Sequence, residues 1–321
     1  MGMGAKLPFG NIQVAVPGYG GAGLRDEESS LELLTKAVNL GCTFWDTASI
    51  YGAGESELVI GRFFKENPGL REKVFVASKC GVVRQNDKII VTNTKSHIET
   101  SLQNTIKRLG TTPDMYYLHR RDPTVSLGES IGTLARLRDE GKFNYIGLSE
   151  CSAATLRSAC QITHIDALQV EYSAWCLDLE HNDLLSTARE LNVAIIAYSP
   201  LGHGLLTGTL TSPDQLKQGA RAVLPRFGEE NFEKNVNFVN YIRDIAGKKG
   251  CTSGQLALAW VIKQGIIPIP GTRSVVRLEE NWGAGMVEMS DEEESEIRKF
   301  AESLDLTGDR YSEDLMKTVN Q

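Results

Sequence analysis

Asp46, Tyr51, Lys79 and His119 are an acid, a phenol, an amine and an imidazole set at, or just after, successive apolar runs. Phe44-Trp45 leads into Asp46, with Tyr51 five residues on; Val76-Ala77-Ser78 leads into Lys79; Tyr117-Leu118 leads into His119. Taken singly, each residue type is commonplace at such a position, as a solvent-facing or satisfied core side chain. On three successive strand ends they point to one site. A free phenol titrates at about pH 10, too high for efficient proton transfer at neutral pH. An ammonium beside a phenol favours the phenolate. A carboxylate keeps such a lysine oriented and offsets its burial, and an imidazole can hydrogen-bond a substrate oxygen and fix its direction. The set suits protonation of a carbonyl oxygen while a separate donor delivers hydride to carbon. It offers no nucleophile–base pair of the hydrolase kind and no metal-ligand cluster.

These residues meet only if their strands run parallel and end on one rim. Short apolar, β-branched or aromatic runs predict eight strands: Ile12–Pro17, Thr43–Asp46, Val74–Lys79, Met115–His119, Tyr145–Ser149, Ala167–Glu171, Ala194–Ser199 and Ile266–Pro270. Helical spacing fills the gaps. Glu28–Leu40 sets Leu31, Leu34, Ala37 and Val38 on one face before Gly41, and Thr94–Leu109 stops at Gly110. Leu127–Glu140 stops at Gly141, Ser152–Gln161 opens on a serine cap, and Leu179–Leu191 and Cys251–Lys263 follow. Strand then helix, repeated, predicts an α/β chain whose parallel sheet closes into a (β/α)8 TIM barrel. No linker interrupts residues 1–321, which read as one barrel domain. Two stretches fall outside the repeat: a loop at about 201–230, too long for an ordinary βα connection, and a tail from about 305. Both are expected to cover the barrel mouth.

Gly18, Gly20 and Gly23 match G-x-G-x-x-G, and Asp46 falls roughly where a dinucleotide fold has its ribose acid. A pyrophosphate loop needs a helix to start inside the motif, yet helical pattern begins only near Asp26. The glycines therefore read as a tight turn that keeps bulk away from the mouth.

Composition narrows the partners. With 321 residues the chain can bury a sizeable core without staples. Its formal charge of −7 argues against a general nucleic-acid surface. Cys42, Cys80, Cys151, Cys160, Cys176 and Cys251 form no CxxC pair and sit mostly in apolar runs, which fits a reducing, cytoplasmic setting. No run reaches membrane-spanning length, and the start MGMGAKLPFG shows no secretory signal.

The segment Trp45-Asp46-Thr47-Ala48-Ser49-Ile50-Tyr51-Gly52 resembles the D-T-A-x-x-Y-G signature of the aldo-keto reductases. Ser78-Lys79, Tyr116-Tyr117-Leu118-His119-Arg120, Tyr145-Ile146-Gly147-Leu148-Ser149, Gln169-Val170-Glu171-Tyr172, Ala197-Tyr198-Ser199-Pro200-Leu201-Gly202 and Ile267-Pro268-Ile269-Pro270-Gly271-Thr272 match in order. The resemblance runs from about Ile12 to Asp309, and is strongest to fungal aldo-keto and pyridoxal reductases. It implies that Tyr51 is the general acid, Lys79 and Asp46 its activators, and His119 the orienter of the carbonyl. It implies a nicotinamide stacked on Tyr198, its carboxamide held by Ser149 and Gln169, with Ser199, Leu201 and Gly202 further along the cofactor. Thr272, Arg273 and Arg277 resemble 2′-phosphate contacts, with Glu280 and Asn281 near the adenine, so NADPH is expected over NADH. Arginines four apart, at the start of a helix, suit a phosphate.

Two departures stand out. The family usually has Asn where this chain has Glu150, and a carboxylate cannot donate to the carboxamide oxygen. Some relatives have Lys where Gly271 stands, one positive contact fewer. The resemblance implies a small-molecule carbonyl substrate, pyridoxal or another aldehyde, and a monomer or weak homo-oligomer. A second reading is an NADPH-binding regulatory or redox-sensing subunit with slow turnover, like potassium-channel β subunits. A barrel hydrolase or isomerase would need paired carboxylates or a metal at the strand ends, where only Asp46 and Glu171 are well placed.

Overall fold

The computed structural model describes residues 4–86, 88–209, 212–216, 219–305 and 308–319. Strands β1 (Lys6–Phe9) and β2 (Ile12–Ala15) pair antiparallel. Then come β3 (Tyr19–Gly20), β4 (Phe44–Asp46), β5 (Phe75–Cys80), β6 (Val82–Gln85), β7 (Lys88–Val91), β8 (Met115–Leu118), β9 (Tyr145–Ser149), β10 (Ala167–Glu171), β11 (Ala194–Tyr198) and β12 (Ile267–Pro268). Strands β3, β4, β5, β8, β9, β10, β11 and β12 pair in parallel, each with the next. Backbone bonds then close the ring. Gly18 donates to the Pro268 carbonyl at 2.9 Å, Gly20 donates to that of Pro270 at 3.2 Å, and Gly20 bridges Gly271 in parallel. Helices wrap the outside, as the (β/α)8 repeat predicts.

Two packed layers follow from this arrangement. Inside the ring, Phe44, Ala77, Met115, Tyr117, Ala167, Ile196 and Ile267 pack together with Phe9. Gly147 makes room for one of them: a Cβ there would lie 2.1 Å from the Tyr117 ring. Outside, strand residues such as Tyr116, Ile146 and Leu168 meet Ile98, Leu134 and Leu156 of the surrounding helices. Helix ends are well satisfied. Thr94, Ser126, Ser152, Thr252, Ser274 and Ser290 accept from backbone N–H groups at N-termini, and Gly41, Gly110 and Gly250 turn left-handed at C-termini.

The first expected strand is corrected. Ile12–Ala15 is not a barrel strand; it returns a hairpin, and the barrel starts at Tyr19. Gln13 is exposed between half-buried Ile12 and buried Val14, a one-sided pattern that suits a hairpin rather than a strand buried on both faces. Phe9 of this hairpin inserts among Phe44, Phe75 and Tyr145, with ring centroids 6.2, 5.3 and 5.1 Å away. The helix expected over Leu179–Leu191 is split into Asp178–His181 and Leu184–Glu190, with Asp183 in the left-handed region between them. Helices Glu55–Glu66, Phe232–Lys249 and Asp291–Glu302 are additional, and Val59, Ile60, Phe63 and Phe64 carry the first at helical spacing. The β6–β7 hairpin is also additional; it follows directly on the strand that holds Lys79.

Candidate active site

The C-terminal ends of the strands do gather the expected residues. Asp46 ends β4, Lys79 is the penultimate residue of β5, His119 follows β8, Ser149 ends β9, Gln169 lies in β10 and Tyr198 ends β11. Tyr51 opens a tight turn in which Gly52, Ala53 and Gly54 all take positive φ, of 59, 55 and 97°. A cleft of about 590 Å³ opens above them. Its walls include Asp46, Tyr51, His119, Ser149, Gln169, Tyr198, Ser199, Leu201, Thr272, Arg277, Glu280 and Asn281. Lys79 is not on the wall: it is fully buried just behind. Gly202 is also off the wall, buried in the turn after β11, and Arg273 lines an adjoining cavity instead.

The buried pair is tightly tied. The Lys79 ammonium donates to Asp46 Oδ1 and, at 2.9 Å, to the Thr47 carbonyl. It lies 5.0 Å from the centre of the Tyr51 ring. Burial alone would strip the proton from Lys79, but Asp46 and Tyr51 outweigh it and hold the ammonium above its ordinary range. Asp46 Oδ2 accepts from Gln169 Nε2 at 2.8 Å, so both oxygens are engaged. His119 meets the Tyr51 ring edge-on, with centroids 5.8 Å apart. Desolvation, then the charges of Lys79 and Arg120, push its imidazole well below the usual histidine range. The ring is therefore neutral at physiological pH, able to donate one N–H.

Further along, polar groups are paired in a complementary way. Gln169 spends its amide N–H on Asp46, which leaves its carbonyl oxygen free to accept. Ser149 Oγ accepts from Arg120 Nη1 at 3.2 Å, which leaves its own O–H free to donate. One acceptor and one donor side by side fit a carboxamide, and they do so without position 150. At the far end of the cleft Thr272 and Arg277 are shared with the adjoining cavity of about 710 Å³, where Arg273, Ser274 and Ser29 also lie. Ser274 caps the helix Val275–Gly283, and Arg277 sits in its first turn. Two guanidinium groups at a helix N-terminus suit a phosphate monoester. The donor set thus fits a nicotinamide dinucleotide phosphate, carboxamide at one end and 2′-phosphate at the other.

Other wall residues carry weaker sequence signals. Arg120 was visible only as the neighbour of His119; it lines both the cleft and a smaller slot of about 170 Å³ beside Val82, Ile89, His119, Tyr311 and Val319. From the loop at about 201–230, His203, Thr207, Thr209 and Arg221 line the cleft; positions 210, 211, 217 and 218 lie outside the described residues. From the tail, Arg310 and Tyr311 reach the rim of β9–β11, while 306, 307, 320 and 321 lie outside the described residues. Trp175 and Phe227 pack on each other, with centroids 5.1 Å apart, off the cleft wall. Among the described residues, no group of three His, Cys, Asp or Glu is placed to hold a metal ion, and no helix is long and apolar enough to cross a membrane.

Comparison with known proteins gives a consistent picture. The model of the Aldo/keto reductase family matches residues 18–302. The chain is 44% identical to an aldo-keto reductase of Gibberella moniliformis, over 98% of this chain and 99% of the other. It is 41% identical to an aldo-keto reductase of Schizosaccharomyces pombe whose name specifies NADP(+), over 94% of this chain and 93% of that one. In structure it resembles a glycerol dehydrogenase of Gluconobacter oxydans, with a TM-score of 0.81 at 24% identity, over 96% of this chain and 97% of the other. A thermostable aldo-keto reductase bound to the inhibitor epalrestat gives a TM-score of 0.74 at 28% identity, over 92% of this chain and 99% of that one.

Proposed function

Because this chain belongs to the aldo/keto reductase family, we propose that it reduces an aldehyde or ketone to the alcohol with NADPH, Tyr51 acting as general acid. The observation that carries this reading is the meeting of Tyr51, His119 and the buried Lys79–Asp46 pair at one end of a cleft that ends in Arg277. When bound, NADPH supplies the hydride. Ser149 and Gln169 hold its carboxamide, Tyr198 backs the nicotinamide ring, and Thr272, Arg273 and Arg277 hold the 2′-phosphate. Ser199, Leu201, Glu280 and Asn281 line the path between.

The chain's own groups move the proton. The neutral His119 imidazole donates a hydrogen bond to the carbonyl oxygen and turns it toward Tyr51. The Tyr51 hydroxyl gives its proton to that oxygen as the carbon becomes tetrahedral. The Lys79 ammonium stabilises the phenolate left behind, and Asp46 keeps that ammonium charged where water does not reach. His119 is not the acid in this scheme, because a neutral imidazole has no labile second proton to give. Six unpaired cysteines, most of them buried, suit a reducing compartment such as the cytoplasm.

The test is a panel of aldehydes and ketones, pyridoxal included, with NADPH consumption followed by absorbance. The wild type is expected to cycle at ordinary enzyme rates on at least one compound, and Tyr51→Phe to lose about 10²–10⁴-fold in kcat. Full turnover by Tyr51→Phe would remove it as the acid. Oxidation of one NADPH per chain without cycling, across the whole panel, would instead favour a cofactor-binding regulatory role.

A further inference from the structure

We propose that Arg310 and Tyr311 are positioning residues for the cofactor: the C-terminal tail clasps the barrel rim and sets the pose of Tyr198, and with it the affinity for NADPH. This rests on the reading that Tyr198 backs the nicotinamide.

The clasp is built on Glu150. Its backbone is left-handed, with φ of 53°, directly after Ser149. That turn aims the carboxylate away from the cleft, whose walls do not include it, and toward the tail. Glu150 Oε2 accepts from Arg310 Nη2 at 2.9 Å and Oε1 accepts from Arg310 Nη1 at 3.1 Å, a bidentate pair. The same Oε1 lies 2.8 Å from the Tyr198 hydroxyl and accepts from the Glu171 N–H at 3.0 Å. Tyr311 adds a second link: its hydroxyl lies 2.8 Å from that of Tyr198 and 2.9 Å from Glu171 Oε2. Two phenolic hydrogens make two of these three contacts hydrogen bonds at a time, and in each arrangement the Tyr198 hydroxyl is bonded to Glu150, to Tyr311 or to both.

The tail is not a loose cover. The Arg310 side chain is 10% exposed, against 3% for Glu150 and 2% for Glu171. Without Arg310, the buried Glu150 and Glu171 would lose their nearest guanidinium and be left to the more distant charges of Arg120 and Arg226 and to His203, 3.1 Å from Glu171. Arg310 also approaches Asp178, at 3.3 Å, which Arg226 holds at 3.0 Å. The carboxylate at position 150 is thus committed to the tail, while Tyr311 itself walls the slot beside His119.

The experiment titrates NADPH against tryptophan fluorescence in the full chain, alongside steady-state kinetics. Arg310→Met is expected to raise the Kd for NADPH by about ten-fold and Tyr311→Phe by about three-fold, with Arg310→Lys between wild type and Arg310→Met. KM for NADPH should rise in step, while kcat at saturating NADPH does not fall. Tyr198→Ala is the reference variant. If it weakens NADPH and both Arg310→Met and Tyr311→Phe bind as tightly as wild type, the clasp is overturned and the platform stands. If Tyr198→Ala itself binds as wild type, the platform reading fails and takes the clasp with it. Should Arg310→Met not fold, Tyr311→Phe and Arg310→Lys decide alone, because both keep the side-chain bulk.

Discussion

Lys79 carries its charge where no water reaches, and Asp46 is the group that makes this tolerable. Lys79→Met would leave that carboxylate buried and unpaired, at a cost of about 3–5 kcal/mol. Urea unfolding should show this as a lower midpoint with an unchanged slope, and an unaltered midpoint would mean the pair contributes no such balance. His119 has a pH signature of its own. Its folded pKa lies well below the ordinary 6.5 because of desolvation, then Lys79 and Arg120. Above about pH 6.5 both folded and unfolded chains hold it neutral, and it adds no pH dependence. Below that, the unfolded chain takes up a proton that the folded site refuses, so stability falls on acidification until the folded pKa is reached. His119→Gln should flatten that part of the stability profile, measured between pH 5 and 7 (about the range in which histidine titrates).

At the scale of elements, the barrel is sealed by backbone rather than by side chains. Gly20 approaches β12 and the chain just after it so closely that a Cβ would sit 2.7 Å from the Ile269 carbonyl oxygen. Gly20→Ala must push the seam apart and should cost about 1–3 kcal/mol. Gly132 is the contrast: it lies inside the helix Leu127–Asp139, and a Cβ there meets nothing within 4 Å. Gly132→Ala should stabilise by about 0.4–1 kcal/mol, through the unfolded chain and helix propensity. Thermal midpoints of the two variants are expected to move in opposite directions. The same seam explains the glycine-rich start of the chain: Gly18 and Gly20 serve closure, while Gly21–Gly23 forms the tight turn beside the cleft.

Over the whole molecule, the chain is acidic, at −7, yet Arg277 at the end of the cleft and Arg273 in the adjoining cavity lie beside a helix N-terminus. A ligand that binds only the folded state raises the melting midpoint with its concentration. NADPH should therefore protect this protein more than NADH does. Arg277→Met should remove most of that difference, weakening NADPH by about ten-fold while leaving NADH nearly unchanged. Equal losses for both cofactors would sink the phosphate assignment. The two ends of the cleft are organised separately, the Tyr51 end by groups from β4, β5 and β8 and the arginine end by the turn after β12.

Much of this was legible locally. Residue types at strand ends, helical spacing before Gly41 and Gly110, and the Ser152 cap are all short-range signals, and each is found where the pattern put it. The acid, phenol, amine and imidazole were readable for the same reason: each belongs to a single strand end or the turn just after it. Other features needed the folded chain. Whether Ile12–Ala15 joins the barrel or plugs its base turns on register, which an alternating four-residue strand does not specify by itself. Glu150 read as a departure from a motif, and only the tertiary structure gave it a partner, Arg310, on the tail. His119 likewise shows its charge state only once Lys79 and Arg120 are packed around it. By itself the sequence determined which groups stand on the rim, because strand ends are local. Which of them share a proton, a charge or a neighbour was decided by barrel closure and by the returning tail, because contacts between distant residues leave no periodicity to read.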